Sequence, residues 1–264
     1  MKILFKENAL SLIKAVFYSE FTGGEILSQK NFNPSLFAEP IIEADDLDIE
    51  ELILKLRQLK KHPKLFSYPK HLQDLEKLIS LVLLHTHLHC LSTIIKVLRQ
   101  AINKDCLFVL KGLSKEAQQL LDWAKEVEGE VRLSLFKIKF HVMPDSPDIL
   151  YAKYSLKFNT YALVLKQWIK IYPEFTFLLL LPNKTIVSNR FGSQEFAAFY
   201  GKLSSLAKKI SGVNLARLSQ RSNLISSHMN YVSDTADFPI LSGYKNPMNY
   251  VAFYNKIKER KNLL

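Results

Sequence analysis

Apolar residues recur at intervals of three and four through most of the first 130 positions, and that period predicts helices. Leu4, Phe5, Ala9, Leu12, Ile13, Val16 and Phe17 predict a first helix over residues 3–20, closed by Gly23-Gly24. Residues 28–44 hold two prolines and no sustained period, so they read as an ordered loop anchored by Phe32, Leu36 and Phe37. Asp45-Asp46 is placed to cap a helix over 47–60, with acids in its first turn and lysines in its last. The longest apolar stretch follows, over 71–102. Leu72, Leu75, Leu78, Ile79, Val82, Leu83, Leu88, Leu91, Ile94, Ile95 and Leu98 predict one long, nearly buried helix there. A short apolar helix over 103–110 closing near Gly112, and a helix capped by Ser114 and ended by Gly129, complete the first half.

From residue 130 the pattern changes. Val131, Leu133, Leu135, Ile138, Phe140 and Val142 alternate with Arg132, Ser134, Lys137, Lys139 and His141, which predicts a strand. Ser146-Pro147-Asp148 has the chemistry of a helix start, predicting a helix to Ile171. FTFLLLL (175–181) and TIVSN (185–189), joined by Pro182-Asn183-Lys184, predict a hairpin. Ser193 is placed to cap a helix closed by Gly212. Residues 213–246 are weakly patterned, and a last amphipathic helix is expected over Met248–Lys261. The fold class expected is mostly α with a small β element (α+β): an N-terminal helical bundle over 1–129, then a basic half over 130–264 with an antiparallel hairpin and helices.

Charge sharpens that division. The net charge is +11, yet residues 1–129 carry 17 basic and 17 acidic side chains, while residues 130–264 carry 19 and 8. All the excess positive charge lies in the second half, where it favours an acidic partner. The partner-binding basic surface is assigned to Lys202, Lys208, Lys209, Arg217, Arg221, Lys256, Lys258, Arg260 and Lys261. Phe191, Phe199, Tyr200, Tyr244, Tyr250 and Tyr254 interleave with them, and basic plus aromatic surfaces also suit single-stranded nucleic acid. An acidic protein partner is therefore the first expectation and nucleic acid the alternative.

Candidate chemistry is sparse. On a helix His85 and His89 would share a face at the spacing of two zinc ligands, but no third ligand follows at a known spacing, so no metal or cofactor is expected. Cys90 and Cys106 lie in apolar surroundings and read as buried reduced thiols, although Asp105-Cys106 at a helix start is where a thiolate would be favoured. The acid pairs Asp145/Asp148 and Asp234/Asp237 are better explained by helix capping and a polar loop. With eight glycines the chain has no P-loop, dinucleotide fingerprint or G-x-S-x-G elbow. No catalytic residue is assigned, and the expectation is not an enzyme. No signal peptide pattern and no run of about 18 uncharged apolar residues is found, so a cytosolic protein is expected.

One stretch resembles a known family. In 31–125 an N-F-N-P-S-L-F opening precedes a charged helix, a Leu-rich helix and short helices ending at L-L-D-W-A. This is similar to the accessory sorting-platform proteins of bacterial type III secretion systems, which link cytosolic pods to the inner-membrane ring. Phe32, Pro34, Phe37 and the Leu78–Leu98 segment are the matching positions. The resemblance implies a non-enzymatic scaffold or adaptor in a multiprotein assembly. It would be peripheral to the inner membrane through that complex. This chain departs from the family in its length and in its strand-bearing, basic second half.

Overall fold

The computed structural model describes residues 1–32, 40–60, 66, 68–143 and 146–198. They form a mixed α/β protein in two compact units. The first holds Met1–Leu133 and Leu156–Thr160; the second holds Ser134–Ser155 and residues 161–198, the division falling inside one helix.

The first unit opens on strand β1 (Lys2–Phe5), not on a helix. Only then does α1 (Ala9–Thr22) begin, with Asn8 Oδ1 accepting from Ser11 N–H at 2.8 Å as its cap. The three-residue apolar run Ile3-Leu4-Phe5 fits both periods, and what decides here is pairing on both sides. β1 lies between β2 (Glu25–Ser28) and β3 (Ile41–Glu43), parallel to each. Ile3 and Phe5 thereby enter the core. The expected helical bundle is thus corrected to a helical unit that includes a small parallel sheet packed on α1. Gly23 terminates α1 in a left-handed conformation that a side chain would strain, its N–H donating to Ser19 C=O.

Asp45 and Asp46 sit in a 3-10 turn; Asp48 is the cap, accepting from Glu50 and Glu51 N–H at the start of α2 (Ile49–Leu59). The long helix expected over 71–102 is two helices, α3 (Pro69–Val82) and α4 (Cys90–Lys104). Leu84 and His85 N–H close a turn onto Leu81 and Val82 C=O, and Cys90 Sγ donates to Val82 O at 3.1 Å. α5 (Cys106–Leu110) is capped by Asp105, whose Oδ1 accepts from Cys106 N–H.

The largest correction concerns α6 (Lys115–Lys137), which runs straight through Gly129 into the expected strand. Its buried positions are Ala117, Leu120, Trp123, Ala124, Val127, Val131 and Ser134, all at helical spacing. The alternation that suggested a strand over 131–142 is the tail of this stripe read in too short a window. Only His141–Met143 is extended, as β4.

In the second unit β5 (Ser146–Lys153) occupies the expected helix start, so the helix expected to begin at Ser146 is corrected to a strand followed by α7 (Tyr161–Ile171). Strand pairs satisfy β5 on both edges: antiparallel β4 on one, parallel β6 (Thr176–Leu180) on the other. β7 (Lys184–Asn189) then pairs antiparallel with β6, and β8 (Gly192–Ala197) with β7, giving the order β4-β5-β6-β7-β8. Ser193 caps no helix: it lies in β8 opposite Ser188, so the helix expected from this point is corrected over 193–197. One face carries Phe177, which meets the rings of Phe140 and Trp168. The other clusters Met143, Ile149, Leu178 and Val187. No helix among the described residues is long and apolar enough to cross a membrane.

Candidate functional site

The densest chemistry in the first unit is the loop between α3 and α4, His85-Thr-His87-Leu-His89. It is built by its own histidines. His87 N–H donates to His85 Nδ1 at 3.2 Å, and His89 N–H donates to His87 Nδ1 at the same distance. Each Nδ1 must be unprotonated to accept, so each neutral ring carries its proton on Nε2. The loop is a pair of successive side-chain turns, and its polar spacing serves the backbone.

The His85 ring is packed against Trp123 of α6, with centroids 5.3 Å apart, and against Phe158, at 4.4 Å. Only 7% of its side chain is exposed, and its Nε2, buried, faces Glu126 Oε2 at 3.6 Å, long for a hydrogen bond. Burial lowers the imidazole's pKa below the ordinary value, with Glu126 opposing that shift. Glu126 in turn receives Lys157 Nζ at 3.1 Å, which holds its carboxyl below the usual range. One turn on, Glu130 binds the same segment: it accepts from Lys157 N–H, from Phe158 N–H at 3.1 Å and from Thr160 Oγ1 at 2.7 Å. Asn159 N–H donates to Leu84 C=O at 3.0 Å. Residues 156–160 are thereby fastened to the histidine loop and to α6 by side-chain packing, an ion pair and backbone bonds together.

Beside this cluster an open trough of about 740 Å³ runs along α6, lined among others by Leu113, Gln118, Asp122, Trp123 and Glu126. The His87 ring meets Trp123 at 5.0 Å. Next to it in the chain, Leu88 is 94% exposed, and Leu113 at the trough is 60% exposed.

No family model, no curated protein and no solved structure matches this chain.

His85 and His89 do not share a helix face, since the loop between α3 and α4 falls between them. His85 is inside, His89 is exposed at the start of α4, and no group of three or more His, Cys, Asp or Glu among the described residues is arranged to hold a metal. Cys106 is buried in apolar surroundings, and its thiol is pushed up to about 12; Cys90 rises to about 11 for the same reason. Asp148 lies on β5, while Asp145, Asp234 and Asp237 fall outside the described residues. All nine residues of the basic surface, Lys202 through Lys261, also lie outside them, as do Phe199, Tyr200, Tyr244, Tyr250 and Tyr254. Phe191 is exposed, with the Arg190 guanidinium 4.5 Å over its ring. Of the matching positions in the family resemblance, Phe32 ends a 3-10 turn, Pro34 and Phe37 are outside the described residues, and the Leu78–Leu98 segment is two helices.

Sequence reasoning missed Trp123, Glu126, Glu130 and Phe158 as a set. The signal was present for the first three: they are spaced i, i+3 and i+7, one face of a helix, once α6 is carried past Gly129.

Proposed function

We propose that the protein is a non-enzymatic adaptor of a multiprotein assembly, the role implied by its resemblance to type III secretion sorting-platform accessory proteins. The observation that carries this reading is Leu88, an apolar residue 94% exposed in a loop that is fixed by two hydrogen bonds from backbone N–H to imidazole and by aromatic packing of its histidines. Free energy is gained when a partner covers an apolar side chain that the free protein leaves in water. The excess positive charge of residues 130–264 supplies a second, electrostatic contact for an acidic protein. Such an adaptor works in the cytosol and meets the inner membrane only through its assembly.

The test is capture of partners from native lysate at moderate salt by the wild-type protein and by Leu88→Asp. A protein partner bound by the wild type and weakened about tenfold or more by the variant supports the reading; each tenfold is about 1.4 kcal/mol. Recovery of RNA with no protein partner overturns it in favour of the nucleic-acid reading. A raised 260/280 absorbance ratio that nuclease removes, and binding that falls steeply with salt, identify that outcome.

A further inference from the structure

We propose that the histidine loop is an acid-opened latch for residues 156–160, with His85 as its trigger. The structure puts three consequences of one proton in one place. First, a neutral His85 accepts the His87 N–H at Nδ1 and carries its own hydrogen on Nε2, so an added proton can go only to Nδ1. The acceptor becomes a donor pointed at another N–H, and the bond that shapes the loop is replaced by a repulsive contact. Second, the new charge forms on a ring nearly closed off from water by Trp123 and Phe158. Third, the segment that covers the ring is the one released, because Phe158 packs on the imidazole and Asn159 N–H is bonded to Leu84, directly before it.

The charged groups around His85 do not all push the same way. From α6, Glu126 at 3.6 Å favours the imidazolium. Lys157, from the latch itself, opposes it, and so does His87 from the same loop. The loop is flanked by two helix ends of opposite sign, the C-terminal end of α3 at Val82, which favours the imidazolium, and the N-terminal end of α4 at Cys90, which opposes it. Glu126 is half-exposed and already engaged by Lys157 at 3.1 Å, which weakens its claim on His85. Burial, the like charges and the lost acceptor together outweigh it.

The sign follows. The closed form holds His85 below the ordinary histidine value of about 6.5, whereas an opened loop gives it that ordinary value. Between the two values the open form binds more protons. The latch is therefore fully closed above the ordinary value and loosens as pH falls through the window, reaching its loosest below the closed-form value. Within the window each pH unit changes the opening equilibrium by up to about tenfold. This device is independent of the adaptor reading and stands or falls on its own measurement.

Hydrogen exchange of the full-length protein, corrected for the intrinsic pH dependence of exchange, tests it between pH 7.5 and 5. Protection of residues 157–160 should fall with acid in the wild type. In His85→Asn, whose amide oxygen can accept the same backbone bond but cannot titrate, the fall should be lost. His87→Asn should keep it. Protection that is flat with pH in the wild type, or that falls equally in His85→Asn, overturns the proposal. Should His85→Asn lose its helical circular dichroism, ring titration of wild-type His85 by NMR decides. A His85 midpoint coinciding with shifts of the Phe158 and Asn159 amides supports the latch, and amides unmoved through that midpoint overturn it.

Discussion

Cys90 and Cys106 illustrate how environment, not residue type, sets chemistry. A thiolate next to a helix start is favoured by the dipole, and Cys106 opens α5. Yet both thiols are buried, the Asp105 carboxylate adds repulsion at Cys106, and the values rise to about 11 and 12. At pH 8 well under one thiol in a hundred is ionised in either site, from the distance between pH and those values. Both should resist a thiol-specific alkylating reagent in the folded protein and react together in denaturant, which a timed mass measurement reads. Fast native labelling of either would show that the site opens. His85 makes the same point with the opposite residue: a group that sequence spacing offers to a metal is occupied by a backbone N–H on one nitrogen and by aromatic packing on its ring.

At the scale of the element, α6 is the decisive structure, since it carries Trp123, Glu126 and Glu130 on one face. Gly129 lies inside it, and a Cβ added there meets nothing within 4 Å. Gly129→Ala should therefore stabilise the protein by about 0.5–1 kcal/mol through reduced backbone entropy in the unfolded chain, visible as a higher midpoint in thermal or chemical unfolding. Gly112 is the contrast. It is left-handed, and a Cβ would come within 2.8 Å of Gln118 Oε1 and 3.0 Å of Leu121 Cδ1, so Gly112→Ala should destabilise. The two glycines have identical chemistry and opposite expected signs, and only their backbone angles and neighbours separate them.

At the scale of the molecule, the first unit is held by one large core. Leu98 lies fully buried in it with Leu12, Leu56, Leu75 and Ile94, contributed by four different helices. Leu98→Ala should cost about 2–5 kcal/mol, the range for emptying such a site, measured by denaturant unfolding; a loss below about 1 kcal/mol would mean the core refills the space.

The sequence alone determined most of the apolar positions of the first unit's helices, that a helix closes near Gly112, and that β6 and β7 are buried strands. It also located the charge division and the buried character of the cysteines. These depend on composition and short-range period, which are written in consecutive residues. Tertiary structure decided the rest. Lys2–Phe5 is a strand because two parallel partners satisfy its backbone on both sides, and β5 is a strand because β4 and β6 do the same. β2 and β3 lie about 20 and 36 residues after β1, and β6 lies beyond a whole helix from β5, so these parallel partners are not visible in the runs themselves. The candidate site shows the same limit: His85, Glu126 and Phe158 come from three separate segments. The burial that sets His85's chemistry exists only once residues 156–160 have folded back onto the loop.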